Sequence, residues 1–266
     1  MWKLNFISEA DLTSVVRTTI EKYGEKIKPF DLKLFKKNVI DPIKLIFDKQ
    51  VYGYSWDELI ENEIFRQKDK SNNNEIGYFH QNIFKYIKNC SVPGHGWDVI
   101  YKPETKIKVD DEFWIEKVYV ELKNKHNTMN YSSASRTYLK MQNQLLLEDK
   151  NTFCFLVEIV AKKSQNVIWE TKIEDIELKN NRIRRVSVDK FYEIITGQYD
   201  AFYQLCMVLP KIINKVLNET KLFSKGKDTV SDELFVGIDD DEIKLVALYM
   251  LSFDSYHGFK EEKIKK

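Results

Sequence analysis

Glu121 and Lys123 stand two residues apart in the segment VYVELKNKHNTMN (118–130), whose first half alternates apolar and polar residues. Alternate residues of a strand share a face, so the pattern predicts that Glu121 and Lys123 project from one face and Leu122 from the other. The preceding strand candidate carries Asp98, which would stand beside Glu121 if the two strands pair. Two carboxylates at such a junction offer the oxygen ligands that Mg²⁺ prefers, and the backbone carbonyl of Leu122 could supply another.

The ammonium group of Lys123 would lie next to a metal held in this way. There it could orient or deprotonate a water molecule and offset the negative charge that grows on a phosphate, which suits hydrolysis of a phosphodiester. The spacing alone carries little weight, because an acid two residues before a lysine also begins at Asp31, Glu104, Glu148, Glu170, Glu177, Glu219, Glu242 and Glu261. The instance at Glu121 differs in its clean alternation, in the preceding Asp98, and in the helix that follows its polar loop.

Composition neither favours nor excludes a nucleic-acid partner. The 266 residues include 42 Lys plus Arg and 41 Asp plus Glu, so the net charge is close to zero, which is compatible with a local basic cleft. Apolar residues make up 43% of the chain, enough for a substantial hydrophobic core. Cys90, Cys154 and Cys206 lack metal-ligand spacing, which predicts reduced thiols rather than a disulfide or a zinc site.

The sequence has no run of about 18 apolar residues, and its first residues, MWKLNFISEAD, lack the apolar stretch of a signal peptide. These features predict a cytoplasmic protein that does not associate with a membrane.

The first part of the chain has helical periodicity. The segment 8–27 predicts a helix capped by Ser8, and further helical patterns cover 31–52 and 75–89. The polar run QKDKSNNN (67–74) predicts a loop before the last of these helices.

Strand patterns dominate the middle of the chain, at 96–102, 113–123, 152–162, 166–173 and 183–188, with a capped helix at 132–149 and closing helices at 189–197 and 200–217. The run TFCFLVEIVAK (152–162) is apolar from Phe153 to Ala161 except for one acid, as in a central strand buried on both faces. This order of elements predicts a mixed α/β sheet with helices on its faces. The acidic, then helical, tail from Lys225 is predicted to be peripheral.

The residues GWDV (96–99), followed by VYVELKNKHNTMNYSSASRTYLKMQ (118–142), resemble the PD-(D/E)XK nucleases. Among these the chain is similar to the type II restriction endonucleases of the SinI-type group, which cut GGNCC or GGWCC, and the likeness runs over most of its length. The resemblance implies an α/β PD-(D/E)XK catalytic core at 71–224, an N-terminal helical region at 1–70 and a C-terminal helical tail at 225–266.

The resemblance also implies roles for individual residues. The metal-binding acid of the family corresponds to Asp98, its second acid to Glu121 and its lysine to Lys123, with Mg²⁺ as the cofactor. Trp97 stands where such enzymes often have proline. Related nucleases often carry a further carboxylate on the preceding helix, and Glu75 is the candidate for a metal contact through water. An acid in a first helical turn also favours the helix dipole, which is the alternative explanation for Glu75.

The loop and helix after Lys123 supply candidate contacts to DNA phosphates: Lys125, His126, Asn127, Asn130, Arg136 and Lys140. A second basic cluster contains Arg182, Arg184 and Arg185, of which the first two would share one face of a strand and the third the other. Arginine pairs bidentately with guanine, and a GG/CC site presents such edges in the major groove. For each of these residues, simple solvation of a polar surface is the alternative.

A palindromic site and one catalytic centre per chain imply a homodimer on double-stranded DNA, each subunit cutting one strand. The family further implies a cognate methyltransferase that acts on the same site without a stable complex. Two alternatives stay open from the sequence. One is a repair or junction-resolving nuclease of the same fold, and the other is a DNA-binding protein that does not cleave.

Overall fold

The computed structural model describes residues 2–109, 113–126, 129–173, 176–219 and 226–253. Its helices are α1 (Glu9–Ile27), α2 (Leu32–Phe35), α3 (Pro42–Tyr52), α4 (Trp56–Phe84), α5 (Tyr131–Leu146), α6 (Val188–Thr196), α7 (Ala201–Glu219), α8 (Val230–Leu234) and α9 (Asp241–Phe253). Its strands are β1 (Cys90–Ser91), β2 (Val99–Tyr101), β3 (Ile107–Lys108), β4 (Trp114–Ile115), β5 (Lys117–Lys125), β6 (Thr152–Val160), β7 (Asn166–Ile173) and β8 (Ile176–Ser187).

Six strands form one mixed sheet in the order β1-β2-β5-β6-β8-β7. The central strands β5, β6 and β8 are parallel, whereas β1 and β2 on one side and β7 on the other are antiparallel to their neighbours. Strands β3 and β4 pair separately as a small hairpin. The predicted mixed α/β architecture is confirmed, and the predicted strand 113–123 is divided between β4 and β5.

Helices cover both faces of the sheet. Helix α5 contributes Tyr138 and Met141 to the apolar cluster that contains Leu156 of β6. On the opposite face, Phe155 of β6 packs with Phe191 of α6 in a second cluster. Strand β6 is buried over its first seven residues, as its continuous apolar sequence predicts for a central strand.

Residues 67–74, predicted as a loop, lie inside the single helix α4. The segment contains neither glycine nor proline, so nothing in it breaks a helix outright, and asparagine costs less than about 1 kcal/mol relative to alanine. Gln67 is buried and donates to Glu63 Oε1 at 3.0 Å, one turn earlier. Asn73 similarly donates to the backbone carbonyl of Asp69 at 3.0 Å. The loop prediction for this segment is therefore wrong, because its polar side chains form hydrogen bonds along the helix.

Two compact units make up the chain, Met1–Ile20 with Glu75–Lys221 and Glu21–Asn74 with Leu222–Lys266. The first contains the six-stranded sheet. The second has its own apolar core, to which Phe35, Leu59, Val230 and Leu248 all contribute fully buried side chains. The C-terminal tail is thus not peripheral, since α8 and α9 share a core with residues of the N-terminal helical region.

Within the described part of the chain, no helix combines the length and apolarity that crossing a membrane requires.

Candidate active site

The pairing of β2 with β5 places Asp98 beside the Glu-x-Lys segment. Val99 lies opposite Val120 in this antiparallel pair, and the Asp98 N–H donates to the Val120 carbonyl at 3.0 Å. The Asp98 side chain then continues the ladder, because its Oδ2 accepts the Leu122 N–H at 2.7 Å. The strand pairing expected from the sequence is confirmed, and the carboxylate is fixed where β2 begins.

Glu121 and Lys123 share the face of the sheet that α5 covers. Lys123 Nζ lies 2.9 Å from Glu121 Oε1, and Lys140 Nζ of α5 lies 2.8 Å from Glu121 Oε2. The side chain of Glu121 is 18% exposed, so this carboxylate is largely withdrawn from water and carries one ammonium group on each oxygen. Glu121 and Lys123 can therefore lie side by side on a half-buried strand because their opposite charges neutralise each other.

The two carboxyl groups have opposite electrostatic surroundings. Burial raises the pKa of Asp98, and the nearby charge of Glu121 adds to the effect, while the hydrogen bond from Leu122 opposes it. Burial also acts to raise the pKa of Glu121, but the hydrogen bonds from Lys140 and Lys123 outweigh it and leave that pKa below its ordinary value.

In the metal-free protein we therefore expect the pKa of Asp98 to lie above the ordinary value of an aspartic acid and the pKa of Glu121 to lie below the ordinary value of a glutamic acid. Carbon-13 NMR titration of the side-chain carboxyl groups, assigned with Asp98→Asn and Glu121→Gln, measures both pKa values. An Asp98 pKa at or below its ordinary value, or a Glu121 pKa at or above its own, would contradict the electrostatic arrangement described here.

Helix α4 reaches the site through Gln81. Its Nε2 donates to the Asp98 carbonyl at 3.2 Å and to Asp98 Oδ1 at 3.4 Å. Gly77, one turn earlier in α4, faces strand β5, since a Cβ added there would meet Asn124 Oδ1 at 3.4 Å. Glu75 lies two residues before Gly77, about 200° around the helix, and so projects away from this face. The geometry therefore does not favour the contact of Glu75 with a metal that the sequence suggested.

The donor set fits a hard divalent cation. The N–H and C=O of a strand residue point to the same side, so the Leu122 carbonyl points, like its N–H, beyond the start of β2. Together with Asp98 and Glu121 it offers three oxygen donors, and Mg²⁺ typically keeps several waters beside a few such ligands. Across the described ranges, no group of three or more His, Cys, Asp or Glu residues is arranged to hold a metal. A metal bound here would therefore have two carboxylates and a backbone oxygen as its protein ligands.

The predicted phosphate contacts occupy several environments. Lys125, His126 and Arg136 are exposed, whereas Lys140 is half-buried against Glu121. Asn130 caps α5, its Oδ1 accepting the Ser133 N–H at 2.9 Å, so its side chain has a structural role. Asn127 lies outside the described residues.

The arginine cluster is divided by the sheet. Arg185 lies opposite Leu156, on the face that carries Glu121, and it pairs with Glu158 of β6 and with the His126 carbonyl at 3.2 Å. Arg184 lies opposite Phe155 on the other face and is 6% exposed. A side chain buried on the far face is not presented to a DNA groove in this structure, so the base-reading role of Arg184 stays a prediction.

Arg182 forms hydrogen bonds at the C-terminal end of helix α5. Its guanidinium donates to the carbonyls of Asp149 at 3.0 Å and Leu145 at 3.5 Å, at the end of that helix. A cation in this position complements the negative end of the helix dipole, which gives Arg182 a structural partner already.

Three contributors to the site escaped the sequence analysis. Gln81 and the pairing of Lys140 with Glu121 leave no local signal, since each depends on how a helix docks on the sheet. Glu158 does leave one, because it is a single acid in an otherwise apolar strand and such a charge requires a partner.

A mixed sheet flanked by helices, with an acid where β2 begins and a Glu-x-Lys segment on the adjoining strand, defines a nuclease core of the restriction-endonuclease type. The family model described as Eco47II restriction endonuclease matches residues 4–218, and the chain belongs to this family. The type II restriction enzyme Sau96I of Staphylococcus aureus is 29% identical over 231 residues, covering 84% of each chain. The type II restriction enzyme Eco47II of Escherichia coli is 28% identical over 242 residues, covering 88% of this chain and 95% of its own.

Proposed function

We propose that this protein is a Mg²⁺-dependent type II restriction endonuclease that cuts both strands of DNA at a short palindromic site of the GGNCC type. The observation that carries the proposal is the cluster formed by Asp98, directly before β2, with Glu121 and Lys123 on the paired strand β5 of a restriction-endonuclease fold. The residues quoted for the resemblance to the GGNCC- and GGWCC-cutting group support the site sequence.

Asp98, Glu121 and the Leu122 carbonyl would hold the metal, which when bound polarises the phosphate and makes a water molecule more acidic. Asp98 is aimed by the Leu122 N–H and by Gln81, so its orientation is set before any ligand arrives. Lys123 keeps a positive charge beside Glu121, where it orients the attacking water and stabilises the charge that develops on the phosphate.

Three exposed residues supply candidate donors to the phosphates that flank the cut: Lys125 at the end of β5, His126 directly after it and Arg136 in α5. These contacts would contribute affinity that falls steeply with salt and carries no sequence preference. Asn127 stays a candidate of the same kind.

A palindromic site read by a chain with one such centre calls for a two-fold homodimer, one subunit for each strand. The proposal also includes a cytoplasmic location and a cognate methyltransferase that protects the same site in host DNA without a stable complex.

We expect digestion of a plasmid of known sequence with Mg²⁺ to give fragments whose ends all map to GGNCC-type sites, with cytosine methylation of the site blocking part of the cutting. Sequencing of the ends measures this, and sedimentation of the protein with a site-bearing duplex measures two chains per site. Random nicking with no shared end sequence would favour a repair nuclease instead. One chain per duplex during double-strand cleavage would overturn the dimer.

A further inference from the structure

Lys140 is held beside Glu121 by a cation–π contact with the Trp97 ring. Its Nζ lies 4.2 Å from the centre of the Trp97 ring and 2.8 Å from Glu121 Oε2. The ring is fixed in turn by Tyr119 at 5.2 Å between ring centres and by a hydrogen bond from its Nε1 to Gln144 Oε1 at 3.3 Å. An ammonium group over an aromatic face is attracted by the ring, so Lys140 has two sources of attraction at one position.

Glu121 is consequently neutralised twice, by Lys123 on Oε1 and by Lys140 on Oε2. A divalent cation that binds this carboxylate has to replace at least one ammonium group. Lys123 starts two residues away on the same strand, and its side chain is 29% exposed. Lys140 comes from α5, its side chain is 38% exposed, and it keeps the Trp97 ring as a partner when it leaves the carboxylate.

We propose that Lys140, seated on Trp97, is a positioning residue that serves as a resident counter-cation for Glu121 and gives way when the metal binds. The inference rests on the proposed metal site. In the free protein the competition lowers the affinity for metal. On DNA, a phosphate offers the displaced ammonium a new partner, so binding of DNA and binding of metal support each other. Trp97, which stands where related nucleases often have proline, thereby gains a physical role.

The test is a MnCl₂ titration of the DNA-free protein, followed by the EPR signal of free Mn²⁺. If Lys140 occupies Glu121 in most molecules, the apparent affinity is reduced by the fraction that can accept metal. Lys140→Met and Lys140→Gln are each expected to bind Mn²⁺ roughly tenfold more tightly than the parent, which corresponds to about a tenth of molecules being competent beforehand. Lys140→Arg keeps the charge and should stay near the parent.

Lys117→Met is the matched control. Lys117 lies on the same strand face, 4.6 Å over the Tyr119 ring, and pairs with Glu148 at 3.1 Å. The substitution Lys117→Met therefore removes a lysine charge that lies over an aromatic ring, as Lys140→Met does, but it leaves the partners of Glu121 in place. The Mn²⁺ affinity of Lys117→Met should differ from that of the parent by less than threefold, roughly the effect of a screened surface charge.

Glu121→Ala separates the two proposals. Unchanged Mn²⁺ binding in Glu121→Ala would overturn the metal site and with it the proposed function. Loss of binding in Glu121→Ala, combined with parental or weaker binding in both Lys140→Met and Lys140→Gln, would overturn only the role of Lys140.

Discussion

Glu121→Ala is expected to lower the single-turnover cleavage rate by at least ~10³-fold while specific DNA binding stays within a few-fold of the parent. Removing one electrostatic group of an active site typically costs ~10²–10³ in rate, and in the proposed site Glu121 would also hold the metal. Asp98→Ala and Lys123→Ala should behave alike, since the first removes the other carboxylate and the second the charge beside the attacking water. We expect the affinity to come mainly from phosphate and base contacts made by other residues.

The measurement is a cleavage time course beside a gel-shift titration at one fixed salt concentration. Without metal, Asp98→Ala and Glu121→Ala should bind DNA at least as tightly as the parent, because each removes a negative charge that would face a phosphate. A variant that loses binding together with cleavage would indicate damage to the fold instead.

Glu170→Ala provides the matched control for that experiment. Glu170 begins the same acid-x-lysine spacing on β7, but it is largely exposed and pairs with Lys179 at 2.6 Å on the surface. Its removal should leave cleavage unchanged. If Glu121→Ala cuts within a few-fold of the parent and Glu170→Ala does not, β5 is not the catalytic strand and the segment Glu170–Lys172 is the better candidate.

The strands that carry the site could be predicted because their signals are local. Alternation with period two is enough to place Glu121 and Lys123 on one face of β5, and a continuous apolar run is enough to bury β6. Helix α4 was harder, because a polar segment without glycine or proline is compatible with a loop and with an exposed helix face alike.

Residues that act across elements could not be predicted in the same way. Whether Lys140 or a neighbour on α5 reaches Glu121 depends on how the helix that links parallel β5 and β6 is seated on the sheet. The sheet face on which Arg184 and Arg185 lie depends on the register of β8 against β6, because a shift of one residue would exchange their faces. Sequence composition records the basic cluster but not which member the sheet buries.

The pair of Glu158 and Arg185 leads to a stability prediction. Glu158 is 1% exposed, and its Oε2 has no hydrogen-bond partner among the described residues. Arg185, which is 31% exposed, contacts the other oxygen. Arg185→Met is expected to lower the free energy of unfolding by roughly 3 kcal/mol, the low end of the range for breaking a buried ion pair, because an uncompensated charge would stay inside the sheet. Urea denaturation followed by circular dichroism measures the loss.

Lys179→Met is the control for this change. Lys179 also lies on β8 and also pairs with a glutamate of a neighbouring strand, but both side chains are more than half exposed. Exposed ion pairs contribute about 0–1 kcal/mol, so this variant should be almost as stable as the parent.

The two side chains of this ion pair differ in exposure, 31% for Arg185 against 1% for Glu158, and this difference determines how a loss of stability is interpreted. Glu158→Leu leaves a partly exposed guanidinium that water can solvate, so it should cost far less than Arg185→Met, and the double variant should recover most of the lost stability. Such a result would assign the effect to a stranded buried carboxylate rather than to the net attraction of the pair. If Arg185→Met proves as stable as the parent, another cation neutralises Glu158, and Lys123, its register partner on β5, is the nearest candidate in the sheet. Cleavage by Arg185→Met would then fall, because Lys123 would be drawn away from Glu121.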